Sequence, residues 1–375
     1  MKVLIAPDKF KGTLTAMEAA SAIASGWASS RPQDQLLCLP IADGGDGFGP
    51  ALGEQLNAER RISSTVDAAL RPVNAPWWYD SKTRTAIIDT AAIIGLAMLP
   101  AGQYHPFDLN TSGIAKVLFE STTLGAKKIL MGIGGSATND GGFGMARALG
   151  WRFLDASGNA INAWHNLTEL QRLEAPTDFN LPRIEVAVDV QNRLLGDEGA
   201  TRIYGPQKGL STNDFPRAEA CLSSLSSVHH ETTGLSIASQ PGTGAAGGLG
   251  FGLMAFTEAR LKPGFKLVAD AVDLWPALNN AALVITGEGK LDGSSLMGKG
   301  VGELLRESMA RKIPVICLGG TRSSDFDVMT NKLRPRMIKS IHPDLADSTA
   351  ARSNAQRLLV DLGRIAGEEW EDEHE

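Results

Sequence analysis

Cysteine is scarce. The chain holds three in 375 residues, Cys38, Cys221 and Cys317, far apart, with no CxxC pair and no histidine at zinc-ligand spacing. That excludes a disulfide framework and a zinc-ligand pattern, and leaves three reduced core thiols as the expectation. Positive charge is not in excess either. With 36 Lys and Arg against 42 Asp and Glu the formal net charge is -6, so no overall field draws in nucleic acid or an anionic membrane surface. Long apolar runs are also missing. The longest, Ala91 to Leu99, reaches about half of the ~20 residues a bilayer requires, and the apolar start from Val3 to Pro7 is too short for a signal peptide. A cytoplasmic protein is expected, with no nucleic-acid or membrane partner. There is no internal repeat, heptad or low-complexity tract, and the terminal charge run from Glu368 to Glu375 reads as a solvated helix end.

What is present is an ordinary globular composition, 43% hydrophobic and 21% charged, on a chain long enough for about two domains of roughly 100 to 200 residues. Glycine is the outlier. Its 41 residues are about 11% of the chain against an average near 7%, and the excess sits in a few short clusters.

The chain opens as an apolar strand, Lys2 to Ala6, then a loop, then a helix whose Thr15 and Glu18 fit a capping box. A second βα unit follows, with a strand over Gln35 to Ile41 and helical spacing from Phe48 to Leu56. The pattern returns near the other end, with strands at Leu283–Thr286, Val315–Leu318 and Met337–Ile341, helices near Val301–Ala310 and Asp325–Asn331, and a last helix over Ala350–Glu368. These predict one open parallel sheet built from both chain ends. The middle is then an insertion. Its first part, Arg61–Val66, Pro72–Tyr79 and Thr85–Asp89, suggests an antiparallel meander, and the apolar strands Lys128–Ile133 and Ile184–Asp189 follow. The expected fold class is α/β with two domains, residues 1–58 with 281–375 forming the discontinuous one and 59–280 the inserted one.

In open α/β sheets ligands bind beyond the carboxyl ends of the strands. The loops there are PDKFKG with Asp8, Lys9 and Lys11, ADGGDGFG with Asp43 and Asp46, and GEGKLDGSS with Glu288 and Asp292. The sharpest local signal lies in the insertion, where Lys128–Ile133 runs straight into GGSATNDGG, Gly134 to Gly142, ahead of a helix. Successive glycines expose backbone N–H groups, a helix N-terminus adds about half a positive charge, and Ser136, Thr138 and Asn139 add hydrogen bonds suited to phosphate oxygens. The plainer alternative is a tight turn closing a βα corner. A second glycine block, Pro241 to Gly252, fits helix packing or ligand contact equally. Asp189 comes at a strand end, and GPQKG reads as a loop displaying Lys208. Anion-binding glycine loops, lysines and several carboxylates, with no defensible Ser-His-Asp or Cys-His set and no histidine pair at metal spacing, form the inventory that phosphoryl transfer uses.

Six motifs then occur in order and at the spacing of one family: PDKFKGTLTA, ADGGDG, IGGSATNDGGFGMARALG, DVQNRLLGDEGATRIYGPQKG, PGTGAAGGLG and ITGEGKLDGSSLMGK. The chain resembles the type I glycerate kinases over nearly its full length. The resemblance implies a flavodoxin-like domain with a second, mixed-sheet α/β domain inserted, and an active site in the cleft between them. It implies ATP- and Mg2+-dependent phosphorylation of D-glycerate at the 2-hydroxyl, and it is compatible with a homodimer. The chain departs from the family pattern at Ser112–Val117, which lacks the usual Gly-Glu pair, at Lys9, at Arg193 after Asn192, and at Ser294.

The roles expected on this basis are as follows. Lys11 and Lys208 neutralise phosphate or carboxylate charge, and Gly134, Gly135, Ser136, Thr138, Asn139 and Asp140 cradle phosphates. Asp189 is the first choice as base, and Asp8 orients Lys11 or holds a substrate hydroxyl. Asp43, Gly44, Gly45 and Ser112 contact substrate, while Asp43 and Glu288 serve Mg2+; the carboxylates can exchange these tasks. Two rivals remain: a kinase of another small hydroxy acid, and a relative that binds ligand without turnover.

Overall fold

A computed structural model of the chain describes residues 1–42, 45, 47–177, 180–296, 300–342 and 354–371. The strands, in chain order, are β1 (Lys2–Ile5), β2 (Gln35–Cys38), β3 (Glu59–Val66), β4 (Pro72–Asp80), β5 (Thr85–Asp89), β6 (Lys128–Gly132), β7 (Arg152–Leu154), β8 (Arg172–Glu174), β9 (Arg183–Ala187), β10 (Arg260–Lys262), β11 (Leu283–Leu291), β12 (Val315–Arg322) and β13 (Met337–His342). The helices used below are α1 (Ala16–Ser30), α2 (Phe48–Gln55), α3 (Ala91–Ile94), α4 (Gly113–Thr123), α5 (Phe143–Ala148), α6 (Ala200–Lys208), α7 (Phe215–Thr233), α8 (Ala245–Thr257) and α9 (Gly264–Ala271), with a C-terminal helix at Ala355–Glu368. Among the described residues no helix is long and apolar enough to cross a membrane.

The chain forms two units, Met1–Asp43 with Val268–Glu375, and Gly44–Leu267. The first carries a five-stranded sheet in the order β13-β12-β11-β1-β2, parallel throughout. Val3, Leu4 and Ile5 in β1 are all buried, as a strand covered on both faces requires. The Thr15 and Glu18 capping box forms as the sequence predicts, with Thr15 Oγ1 accepting from Glu18 N at 3.2 Å and Glu18 Oε2 from Thr15 N at 2.8 Å. Trp27, fully buried, ties α1 down by donating from Nε1 to Asp34 at 3.0 Å. Burial works to raise the Asp34 carboxyl, but the N-terminal ammonium, Arg31 and Trp27 together outweigh it and hold the group below its ordinary value.

The second unit carries a mixed six-stranded sheet, β10-β9-β6-β5-β4-β3, in which β3, β4 and β5 are antiparallel and β5, β6, β9 and β10 parallel. The meander is therefore as expected, and a separate ribbon pairs β7 with β8. One core packs Ile88, Ile114, Ile129, Met131 and Leu249; a second, rich in aromatics, packs Phe143, Phe153, Trp164, Phe251 and Phe256. The unit boundary falls at Gly44, where the sequence suggested residue 59, because α2 lays Gly49 and Gly53 on the Trp78 ring of β4. The second boundary falls at Val268, ahead of the suggested residue 281.

Three local expectations need correction. The segment Gly205–Gly209 is not a loop: it is the last turn of α6, closed by Gly209 at φ 106°, a left-handed C-cap that glycine adopts at no steric cost. β9 ends at Ala187 and β2 at Cys38, so Asp189 and Ile41 lie past the strands. β11 and β12 run further than their apolar stretches, to Leu291 and Arg322, because pairing between them continues through the polar residues. Among the cysteines, burial pushes the Cys317 thiol up to about 12, consistent with an inert core group.

Candidate active site

The glycine loop leaves β6 at Ile133 and returns at Gly142 into α5, at the carboxyl edge of the second unit's sheet. It is braced from below by the second glycine block. Gly247 sits at φ 69° inside α8, and a Cβ there would lie 1.9 Å from the Thr138 carbonyl oxygen. Gly247 O in turn accepts from Gly141 N at 3.1 Å. The ambiguity of Pro241–Gly252 thus resolves to packing: only a residue without a side chain lets α8 approach the loop backbone this closely.

Asp140 is the loop's internal strut. Fully buried, it accepts from Thr111 N at 2.9 Å, Thr111 Oγ1 at 2.8 Å, Gly142 N at 3.2 Å and Gly144 N at 2.9 Å. Thr111 Oγ1 accepts from Met145 N at 2.9 Å, so one carboxylate and one hydroxyl satisfy donors at the start of α5 and tie it to the residues just before α4. This differs from the phosphate contact expected of Asp140. Asn139 Nδ2 likewise turns inward, to Thr201 Oγ1 at 3.1 Å. Among the described residues Thr138 Oγ1, Asn139 Oδ1 and Ser112 Oγ are buried without a partner, which is uncommon away from sites that a ligand or water completes.

Lys208 comes to this loop from the end of α6. Its Nζ donates to Ser136 Oγ at 3.0 Å and to the Thr138 carbonyl at 2.7 Å, while the residue is 6% exposed. Burial brings the amine down to about 7, with nearby Asp140 opposing that shift. Burial also raises the Asp140 carboxyl, against the hydrogen bonds it receives. Both groups are therefore pushed toward their neutral forms, and an anion arriving at Lys208 would favour its charge. Beside Lys208 and Gly135 opens a cavity of about 1020 Å³.

One carboxylate, Asp89, ends β5, and another, Asp189, follows β9 by two residues. Gly132 of β6 is in register with Asp89 of β5 on one side and Ala187 of β9 on the other. Asp189 Oδ1 accepts from Gly264 N at 2.8 Å and so caps α9, and the residue is exposed. Asp89, which sequence reasoning missed as a site residue, accepts from Ala91 N at 3.1 Å and is 6% exposed. A strand ending in Asp-Thr ahead of a helix, IIDTAA, was its one available signal.

The first unit gathers Asp8, Lys11 and Glu288 at the carboxyl edge of its own sheet. Asp8 N donates to Gly287 O at 2.8 Å, and a Cβ on Gly289 would lie 3.1 Å from Lys11 N. Asp8 is 8% exposed and Lys11 exposed. Asp43 and Gly44 lie outside the described residues; Gly45 lies within them, its Cα 3.8 Å from where a Gly134 Cβ would be. Among the described residues no group of three or more His, Cys, Asp or Glu side chains gathers as for a tightly held metal.

The altered segment after Thr111 is part of α4's buried face. Ile114, Ala115 and Val117 are 0 to 2% exposed, so these departures fill a core.

The chain matches the glycerate kinase family over residues 3–370. It is 38% identical over 334 residues to a glycerate kinase of Bacillus subtilis, covering 88% of this chain and 87% of that one. It is 37% identical over 336 residues to a glycerate 2-kinase of Escherichia coli, with the same coverage. A crystal structure described as a candidate glycerate kinase 2 from Salmonella typhimurium LT2 superposes with a TM-score of 0.87 at 32% identity, covering 98% of this chain and 97% of that one. Full-length identity of this order, on a fold of two α/β units with a parallel and a mixed sheet, leaves one conclusion: the chain belongs to the glycerate kinase family.

Proposed function

We propose that the protein transfers the terminal phosphoryl group of ATP to the 2-hydroxyl of D-glycerate, releasing ADP and 2-phosphoglycerate. The observation that carries this is the Lys208 amine seated on the glycine loop, hydrogen-bonded to Ser136 and Thr138. An amine held on a glycine loop suits phosphate oxygens. Because phosphoryl transfer makes little covalent demand on the protein, positioning and charge neutralisation do most of the work.

In this reading Lys208 and the loop from Gly134 to Ser136 hold phosphate oxygens, and Lys11 offers a second cation. Asp140, Thr138 and Asn139 act indirectly, by fixing the loop's shape. Asp189 takes the proton from the glycerate 2-hydroxyl as its oxygen bonds to phosphorus, while the bond from phosphorus to the bridging oxygen breaks and ADP leaves. Ser112, whose buried hydroxyl has no partner among the described residues, would contact the glycerate. Mg2+ needs one or two carboxylates beside phosphates and water, so the neighbouring Asp8 and Glu288 fit it without a larger cluster; Asp43 is a further candidate. The ion would neutralise phosphate charge.

Asp189→Asn separates base from scaffold, because asparagine caps a helix about as well as aspartate. A loss in kcat of roughly 10²- to 10⁴-fold with folding unchanged is expected. A folded variant with near wild-type kcat would remove Asp189 from the role. The reaction itself is tested by ADP release that depends on D-glycerate; ADP formed with another hydroxy acid but not with glycerate would replace the substrate.

A further inference from the structure

The segment from Leu96 to His105 borders the cavity beside Lys208, yet none of its residues is fully buried. Leu96, Leu99 and Tyr104 pack only partly against the core, so hydrophobic burial, which fixes most elements, does little here. Polar contacts must set where the segment lies. Its start is bonded to the glycine loop, Leu96 N donating to Gly135 O at 2.8 Å, and at its far end His105 Nε2 lies 3.5 Å from Asp214. Between those ends one side chain from another element reaches it. Arg71 donates from Nη2 to Met98 O at 3.0 Å, and its guanidinium carbon lies 5.5 Å from the Tyr104 ring centre. We propose that Arg71 is a positioning residue for the reaction, holding Leu96–Tyr104 where a substrate bound at Lys208 meets it; this rests on the kinase reading above.

The anchor is itself built. Arg71 closes the turn between β3 and β4, and Asp67, 3% exposed, organises that turn. Asp67 Oδ1 accepts from Ala69 N at 2.9 Å and Arg71 N at 3.0 Å, while Oδ2 accepts from Arg71 Nε at 2.7 Å. The turn sets Leu70 at φ 62°, a left-handed conformation that leucine seldom adopts. A connection with no other task would take glycine or asparagine there without strain. Here the strained turn aims the guanidinium at Met98. It also reaches the other side of the site, because Ala68 O accepts from Asn110 N at 3.0 Å and Asn110 Oδ1 from Ser112 N at 3.0 Å.

Arginine suits the task for a geometric reason. Its planar fork presents several donors at once, so one group serves the Asp67 carboxylate and the Met98 carbonyl together, whereas a lysine amine is a single point on a flexible stem. Asp67 and Arg71 lie outside all six sequence motifs, so their part in the site comes only from the fold.

The full chain carries the test, as Arg71→Met, which keeps the stem and removes the fork, and Arg71→Lys, which keeps the charge beside Asp67. Urea midpoints first establish that each variant is folded under the assay conditions. In Arg71→Met the amides of residues 96–105 should exchange hydrogen faster than in wild type, while those of β6 and α5 do not. The KM for ATP should rise roughly three- to tenfold with kcat within about twofold, because the segment then occupies its place only part of the time. Arg71→Lys should fall between Arg71→Met and wild type. A wild-type KM in folded Arg71→Met would overturn the proposal, as would unchanged exchange or a fall in kcat with KM unaltered. If Arg71→Met does not fold, Arg71→Lys decides: a raised KM with kcat kept supports the role, and a wild-type KM removes it. Equilibrium dialysis with ATP separates the anchor from the reaction. A Kd raised in the variant of a protein that phosphorylates no glycerate leaves the anchor standing and removes the kinase reading; a wild-type Kd in an active protein removes the anchor alone.

Discussion

Lys208 is the residue on which the site turns, and its burial makes a thermodynamic prediction. An amine near 10.4 in the unfolded chain and about 7 in the folded one means that between those values the unfolded state holds more protons. Stability therefore rises with pH through that window, and the cost of a buried charged amine is felt in full below it. Lys208→Met removes the group. The unfolding free energy of wild type minus that of Lys208→Met should climb between about pH 7 and pH 9 in urea titrations; a difference that stays flat would show the amine to be unperturbed. The sequence identified Lys208 as a candidate but misjudged its setting, because Pro206 and two flanking glycines mimic a loop while the turn is in fact the end of α6. Asp140 was drawn to the phosphate by its neighbours in sequence. Its partners, Thr111 and the N–H groups of Gly142 and Gly144, come in part from the bend ahead of α4, 29 residues away, and that kind of pairing leaves no local mark.

Among the elements, α8 and the glycine loop form one mechanical piece. Gly247→Ala places a methyl group 1.9 Å from the Thr138 carbonyl at a left-handed position, and should cost more than about 4 kcal/mol or prevent folding. Gly12→Ala is the control. Gly12 shares a positive φ, 80°, but has nothing within 4 Å of the added Cβ, so only the backbone penalty of roughly 1–2 kcal/mol is expected. Urea midpoints compare the two, and equal losses would mean that the close approach of α8 contributes nothing. At the start of α1, Thr15→Ala should cost about 1 kcal/mol through the lost cap. That cap was legible from four residues because its physics is local. The glycine block Pro241–Gly252 was not, since packing and ligand contact favour the same small residues and only the tertiary partner decides between them.

Across the whole molecule, the parallel sheet assembled from both ends was legible because buried parallel strands are written as short apolar runs. The unit boundary was not. α2 looks in sequence like the helix of a second βα unit, yet its Gly49 and Gly53 are shaped to the Trp78 ring, a contact across 29 residues that no periodicity records. The second unit is continuous, Gly44–Leu267, with its own sheet and two cores. Expressed alone it should fold and melt cooperatively, as compact domains of this size do; a fragment lacking near-ultraviolet circular dichroism would show that it depends on the rest of the chain. What the protein does is defined by the reaction and its position on glycerate. Purified protein with D-glycerate, ATP and Mg2+, coupled to enolase without phosphoglycerate mutase, reads it directly, because enolase accepts only the 2-phosphate. Phosphoenolpyruvate absorbance rising without mutase is the predicted result. A signal that appears only after mutase is added, or none from folded protein, would contradict it.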